Sequence, residues 1–108
     1  MLQPFRLEEP TSVSAASALL AQYGERARIY AGGTELLLAM KEGLLQYDWL
    51  VNIKLIPGIA DLSITAGTLC IGAATTHRTL ERSPLVRHHF PTLAQMEANV
   101  ANVRVREV

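Results

Sequence analysis

The feature that most constrains the fold is the glycine pair Gly32-Gly33, which lies between a strand-like segment and a helix-like segment. Residues 28–31 carry β-branched and aromatic side chains, which favour a strand. From Thr34 onward, apolar residues recur at helical spacing. Residues 48–53 are almost continuously apolar, as is typical of a strand covered on both faces. This order of strand, glycine turn, helix and strand predicts a βαβ unit with parallel strands.

The flanking segments complete an α/β pattern. Pro10-Thr11-Ser12 opens a first helix with a hydroxyl N-cap, and Tyr23-Gly24 closes it. Residues 62–65 and 68–73 predict a hairpin that turns at Ala66-Gly67. We therefore expect an α/β fold in which helices pack on a small, partly parallel sheet.

The last third of the sequence predicts three helices. Thr76 caps a short helix that ends at Arg82, and Ser83-Pro84 begins a second that ends at Phe90. Pro91 suits the first turn of the last helix. Its apolar residues recur at intervals of three and four, and they are Leu93, Met96, Val100 and Val103.

Composition excludes several classes of protein. With 108 residues the chain has room for one small domain, and ten basic residues balance ten acidic ones. A balanced charge lacks the positive field on which nucleic-acid binding depends, so we expect no nucleic-acid partner. The longest apolar run, residues 36–40, is far shorter than the roughly 20 residues that a transmembrane helix needs.

Cys70 is the only cysteine, so no internal disulfide can form. Secreted domains of this size more often carry paired cysteines, and no signal peptide opens the sequence, which together favour the cytoplasm. Because Cys70 alternates within an apolar strand, we expect it to be buried near a covered central strand that contains Trp49, Leu50, Val51 and Ile53.

The glycine pair also has a chemical interpretation. Glycines let the backbone approach a ligand closely, and the free N–H groups and dipole at a helix start favour an anion such as phosphate. A turn between a strand and a helix is nevertheless often only a corner, and neither GxGxxG nor a phosphate-binding NTPase loop is present. Glu35 would repel a phosphate unless its side chain turned outward or reached another ligand group.

Several motifs in one order carry a resemblance to a known family. They are Ala31-Gly32-Gly33-Thr34-Glu35-Leu36-Leu37, Leu50-Val51-Asn52-Ile53, Ile56-Pro57-Gly58, Leu69-Cys70-Ile71-Gly72-Ala73-Ala74-Thr75-Thr76-His77, Leu80-Glu81-Arg82-Ser83-Pro84-Leu85-Val86 and Pro91-Thr92-Leu93-Ala94. Across essentially its whole length the chain resembles the N-terminal portion of the FAD-binding medium subunit of the molybdenum hydroxylases, which include xanthine dehydrogenase and carbon monoxide dehydrogenase.

The resemblance implies a cofactor, partners and site residues. FAD in this family passes electrons between iron–sulfur clusters and a final acceptor, within an assembly that has a molybdenum-cofactor large subunit and an iron–sulfur small subunit. The residues that match FAD-binding positions are Ile29, Tyr30, Ala31, Gly32, Gly33, Thr34, Glu35 and Leu36, with Val100 on the last helix. The resemblance assigns no catalytic residue to this chain, and it leaves open whether the chain should be called an enzyme.

One departure from the family concerns the second glycine loop, which completes the pyrophosphate cradle and would follow Val108. We therefore expect residues 1–108 to form the N-terminal subdomain of an FAD-binding domain, truncated before that loop. Hydrogen bonds to charged groups contribute about 1.5–3 kcal/mol each, so the isolated chain should bind FAD weakly or not at all. It should also expose apolar surface that promotes self-association. The alternative is a remnant that binds no flavin and serves as a folded interaction module.

The remaining reactive side chains have simpler interpretations. The arginines of the last third, Arg78, Arg82, Arg87, Arg104 and Arg106, predict a solvated basic face. His88-His89 lacks further ligands at metal-binding spacing, so no metal site is expected. His77 follows a residue that caps a helix, and either capping or function explains its family-like setting.

Overall fold

The computed structural model describes residues 2–108, which divide into two compact units, residues 2–59 and residues 60–108. The strands are β1 (Arg6–Glu8), β2 (Ala27–Tyr30), β3 (Trp49–Asn52), β4 (Leu62–Thr65) and β5 (Thr68–Ile71). The helices are α1 (Val13–Tyr23), α2 (Thr34–Lys41), α3 (His77–Arg82), α4 (Pro84–His89), α5 (Pro91–Ala98) and α6 (Val103–Glu107), and a 3-10 turn spans Gly24–Arg26. The predicted α/β class is confirmed.

The first unit is a parallel three-stranded sheet in the order β1-β3-β2. β3 is central, as its apolar sequence predicted, and Leu50 and Val51 are fully buried on its opposite faces. α1 covers one face through Ala16, which packs in a cluster with Ala27, Val51 and Ile56. The short edge strand β1 was not anticipated from the sequence.

α1 has the caps that its sequence predicted. The Ser12 side chain accepts a hydrogen bond from the Ala15 N–H at 3.0 Å, and Gly24 ends the helix with a φ of 56°. At its C-terminal end, the Tyr23 ring stacks on Trp49 with centroids 4.1 Å apart. The guanidinium carbon of Arg26 lies 4.7 Å from the Trp49 ring centroid. Trp49 is therefore half-buried in a stack at the border of the core.

The second unit joins a hairpin to four helices. β4 and β5 pair antiparallel, and Ala66 and Gly67 turn the chain with φ values of 50° and 79°. Leu80, Val86 and Ala94 form its core. The predicted hairpin and the helices α3 and α4 are confirmed.

No helix in the described range 2–108 is long and apolar enough to cross a membrane.

Cys70 contradicts the predicted buried thiol, because it is exposed on β5. Side chains alternate along a strand. Leu69 packs toward the helical core, whereas Cys70 lies opposite the exposed Ser63 on the other side of the hairpin. A two-stranded hairpin covered on one side leaves that second side open to solvent.

Candidate functional site

The glycine corner, residues 31–33, joins β2 to α2 in the first unit. β2 ends at Tyr30, one residue before the predicted end at Ala31, and α2 begins at Thr34, as the sequence predicted. Gly33 is the N-cap residue, with φ of 78° and ψ of 1°, in the left-handed region that glycine alone enters without strain. The local chemistry of the sequence therefore fixes the corner at the carboxyl end of a parallel strand, where open α/β sheets bind ligands.

Space also restricts position 33 to glycine. A Cβ atom on Gly33 would collide with Cε2 of Tyr30 and would lie 3.0 Å from Cδ1 of Leu37. The Tyr30 ring therefore packs directly beneath the corner. Gly33 is required both by its φ angle and by this close approach.

The first turn of α2 offers unpaired hydrogen-bond donors. Gly33 provides no side-chain cap, and its carbonyl accepts from the Leu37 N–H at 2.9 Å. Within residues 2–108, the backbone N–H groups of Thr34, Glu35 and Leu36 have no acceptor. Such donors, together with the partial positive charge of the helix start, suit a phosphate group.

The side chains of the first turn leave the amides accessible. Thr34 and Glu35 are both exposed. Within the described part of the chain, the Glu35 carboxylate forms neither a hydrogen bond nor an ion pair, so it is free to point away from an anion. An exposed carboxylate without a partner can adopt the outward orientation that phosphate binding at this turn requires.

The other predicted contacts of this segment lie beside the corner. Ile29 is 48% exposed on the edge strand β2, whereas Tyr30, Ala31 and Leu36 are half-buried. The fold thus brings residues 29–36 together as one continuous strand, corner and helix start.

Two polar residues at the same sheet edge, Asn52 and Glu9, were not singled out in the sequence. Asn52 ends β3 in register with Tyr30 of β2. Its Nδ2 lies 3.5 Å from Glu9 Oε2, and its Oδ1 accepts from the Lys54 N–H at 3.0 Å. The position of Asn52 directly after an apolar strand is the signal that could have identified it, since ligands bind at carboxyl ends of strands.

Val100 belongs to the second unit and does not lie on a helix, contrary to the prediction. α5 ends at Ala98, and α6 begins only at Val103. Between them, Ala101 adopts a φ of 42°, and Asn102 caps α6 by accepting from the Val105 N–H at 3.1 Å. The capping asparagine breaks the helix, although the apolar spacing continues through it. Val100 is half-buried in this turn.

The predicted solvated basic face is also partly wrong. Arg106 is buried, and its Nε lies 3.4 Å from Oε2 of Glu81. Arg78 is largely buried and lies 3.3 Å from both Glu81 and Glu107. Interleaved carboxylates on α3 and α6 collect these arginines into an ion-pair cluster, which the spacing of charges along the sequence does not reveal.

His77 is explained by local contacts. Thr76 caps α3 by accepting from the Thr79 N–H at 3.0 Å, and His77 Nδ1 lies 2.6 Å from Glu97 Oε2. His77 thus joins α3 to α5. Among residues 2–108, no group of three or more histidine, cysteine or acidic side chains is arranged to hold a metal ion.

Comparison with known proteins gives consistent matches. Residues 3–108 match the family model described as the FAD binding domain in molybdopterin dehydrogenase. The carbon monoxide dehydrogenase medium chain of Hydrogenophaga pseudoflava is 37% identical over 107 residues, which are 98% of this chain and 37% of that one.

Solved structures agree with this match. The structure of carbon monoxide dehydrogenase from Hydrogenophaga pseudoflava that lacks the Mo-pyranopterin moiety superposes with a TM-score of 0.95 at 36% identity. Quinoline 2-oxidoreductase from Pseudomonas putida 86 gives 0.94 at 31% identity. Each comparison covers 99% of this chain and 37% of the other, so the chain spans little more than a third of these relatives.

Proposed function

The chain belongs to the family of FAD-binding domains in molybdopterin dehydrogenases, and we propose that its glycine corner binds the pyrophosphate of FAD. The observation that supports this most strongly is the set of unpaired N–H groups at Thr34, Glu35 and Leu36, directly after the left-handed Gly33. The flavin supplies the redox chemistry, and the chain supplies binding and orientation.

The pyrophosphate proposal assigns roles to individual groups. The three backbone N–H groups donate to phosphate oxygens, and the exposed Thr34 hydroxyl is available as a further donor. Gly33 supplies the left-handed backbone and leaves room for the Tyr30 ring, and both set the course of the chain into the first turn of α2. Ile29, Tyr30, Ala31, Gly32 and Leu36 shape the surroundings of the corner, and Val100 is a separate proposed flavin contact in the second unit.

At the level of the assembly, we propose a medium subunit that relays electrons between iron–sulfur clusters and a final acceptor. Its partners would be a molybdenum-cofactor large subunit and an iron–sulfur small subunit. The support is that relatives are named as medium chains, among them the 37% identical one. A tagged chain expressed in its own source cells should copurify with molybdenum and iron, measured by elemental analysis. Recovery without either metal contradicts the assembly.

Paired glycine variants test the FAD site. Gly33→Val introduces a β-branched residue at the corner, whereas Gly43→Val introduces it just after the same helix, at an almost equal φ of 79° and in open space. Titration of each variant with FAD, followed by flavin fluorescence, should show about tenfold or greater weakening for Gly33→Val only. The clash with Tyr30 should displace the N–H groups of the first turn, and the loss of one hydrogen bond to a charged phosphate has about that effect. Equal affinities in the two variants would falsify the assignment of the corner.

A further inference from the structure

Arg106 is the only buried charged residue in the part of the chain that the structure describes. It lies on α6, and its side chain is 10% exposed. A buried guanidinium is strongly unfavourable unless polar groups compensate its charge. The positions of its polar partners therefore restrict the conformation of the backbone around Arg106.

Those partners connect three parts of the second unit. Arg106 Nη1 donates to the carbonyl oxygen of Val100 at 2.8 Å, in the turn between α5 and α6. Its Nε lies 3.4 Å from Oε2 of Glu81 on α3. Arg78, also on α3, lies 3.3 Å from the same carboxylate oxygen and holds it in place. Arg106 thus ties this turn and α6 to α3.

Apart from the Arg106 side-chain contact, the hydrogen bonds on this turn go to the two helices that it joins: Asn99 donates to the Met96 and Gln95 carbonyls, and Asn102 accepts from the Val105 N–H. Residues 99–102 lie outside both helices, and Ala101 is held at a positive φ of 42°. The Val100 N–H donates to the Glu97 carbonyl over a long 3.3 Å. The Arg106 contact, at 2.8 Å and with a charged donor, is therefore the strongest bond that the structure shows on Val100.

We propose that Arg106 is a positioning residue, which fixes the turn that presents Val100 to the flavin. It acts through the Val100 carbonyl and touches no ligand itself. The presentation of Val100 to flavin rests on the proposed function, whereas the restraint on the turn rests only on the contacts described above.

Amide-resolved NMR of the 108-residue chain tests both halves. The variants are Arg106→Met, which removes the charge and the donors, and Arg106→Lys, which restores a single point charge. Arg104→Met is the matched control, because Arg104 is exposed on the same helix. Glu81→Gln, which keeps the shape of Glu81 but removes its charge, serves if Arg106→Met does not fold.

Hydrogen exchange measures how firmly Arg106 holds the turn, and it needs no ligand. The Val100 N–H donates to the Glu97 carbonyl, whereas Arg106 holds the turn through the Val100 carbonyl. Loss of the Arg106 bond in Arg106→Met should let the turn open, so the Val100 amide should exchange about tenfold or more faster. Arg106→Lys and Glu81→Gln should fall between this variant and the wild type, and Arg104→Met should match the wild type. Unchanged exchange at Val100 in both Arg106→Met and Glu81→Gln overturns the proposal.

FAD titration tests whether Arg106 positions Val100 toward the flavin. In the wild type, FAD should shift the amide signals of Val100 and, separately, of residues 32–36. Arg106→Met should lose the Val100 shift and keep the shifts at 32–36. A Val100 shift that survives in Arg106→Met contradicts the positioning role. FAD shifts in the wild type that spare residues 32–36 contradict the proposed function instead, while the exchange result still decides the restraint.

Discussion

Gly33 shows how a single residue can determine the candidate site. Its backbone enters the left-handed region at a φ of 78°, and the Tyr30 ring occupies the space where a Cβ atom would lie. Gly43 has almost the same φ of 79° with no neighbour within 4 Å. The two glycines therefore separate the cost of backbone strain from the cost of crowding.

Urea unfolding should resolve those two costs. Gly43→Ala should lower the free energy of unfolding by about 1–2 kcal/mol, the strain of a left-handed non-glycine residue. Gly33→Ala should lower it by roughly a further 1–3 kcal/mol, because the added methyl group is overpacked against Tyr30. In a double-mutant cycle, Tyr30→Ala should recover part of this extra loss. Strict additivity of Tyr30→Ala and Gly33→Ala would show that the ring does not crowd the corner.

Cys70 gives a second test at this scale. Because the thiol is exposed, a thiol reagent should label native protein at a rate comparable to that of the urea-unfolded chain. The measurement is the rate of absorbance or mass change, with Cys70→Ser as the unreactive control. If labelling occurred only after unfolding, Cys70 would be buried, as the sequence predicted, and not exposed.

At the residue scale, the sequence predicts features that nearby residues determine, and it does not reveal features that depend on distant contacts. Gly33 is fixed by its own backbone and by its two neighbouring elements, so its role was readable. Arg106 is buried because Glu81, twenty-five positions earlier, lies beside it. Cys70 is exposed because the hairpin is covered on one side only, which no alternation of residues within one strand can show.

At the scale of elements, caps were better guides than apolar spacing. Ser12 and Gly24 delimit α1 as predicted. The spacing of Met96, Val100 and Val103 suggested one continuous helix, yet the chain breaks between Ala98 and Val103. The Asn102 cap competes locally with helix continuation and prevails. β1 escaped prediction because three residues are too few to show a period.

The α1 cap provides a direct test of this account. Ser12→Ala should lower the free energy of unfolding by about 1 kcal/mol, because it removes the acceptor of the Ala15 N–H. Ser14→Ala, an exposed change inside the same helix, should be neutral or slightly stabilising, since alanine is the better helix former. Both values come from urea or thermal unfolding followed by circular dichroism. An equal loss in both variants would rule out a capping role for Ser12.

At the scale of the whole molecule, many apolar side chains remain exposed in and just after α2. Apolar residues recur along α2, yet only Met40 of this helix is buried. Leu38, Leu44 and Leu45 are 51%, 74% and 41% exposed. Exposed apolar surface of this kind favours association with other surfaces, which is the observation that supports an interaction role for the chain.

Self-association should therefore depend on these leucines. Light scattering of the purified chain should show a mass above that of one copy, and Leu38→Lys with Leu44→Lys should shift it toward the monomer. Met96→Lys is the control, because Met96 is 62% exposed on α5 in the other unit. A monomeric wild type, or an equal effect of the control, would contradict the role of the α2 leucines.

The central claim is that the glycine corner binds the pyrophosphate of FAD, and the most direct measurement compares two ligands by amide-resolved NMR. FAD carries the pyrophosphate, whereas riboflavin has the same ring system without any phosphate. We predict that FAD shifts the amide signals of Gly32, Gly33, Thr34, Glu35 and Leu36, while riboflavin leaves them unchanged. NMR detects this pattern even when binding is weak. Equal shifts with both ligands, or shifts with FAD that spare these five amides, would contradict the claim.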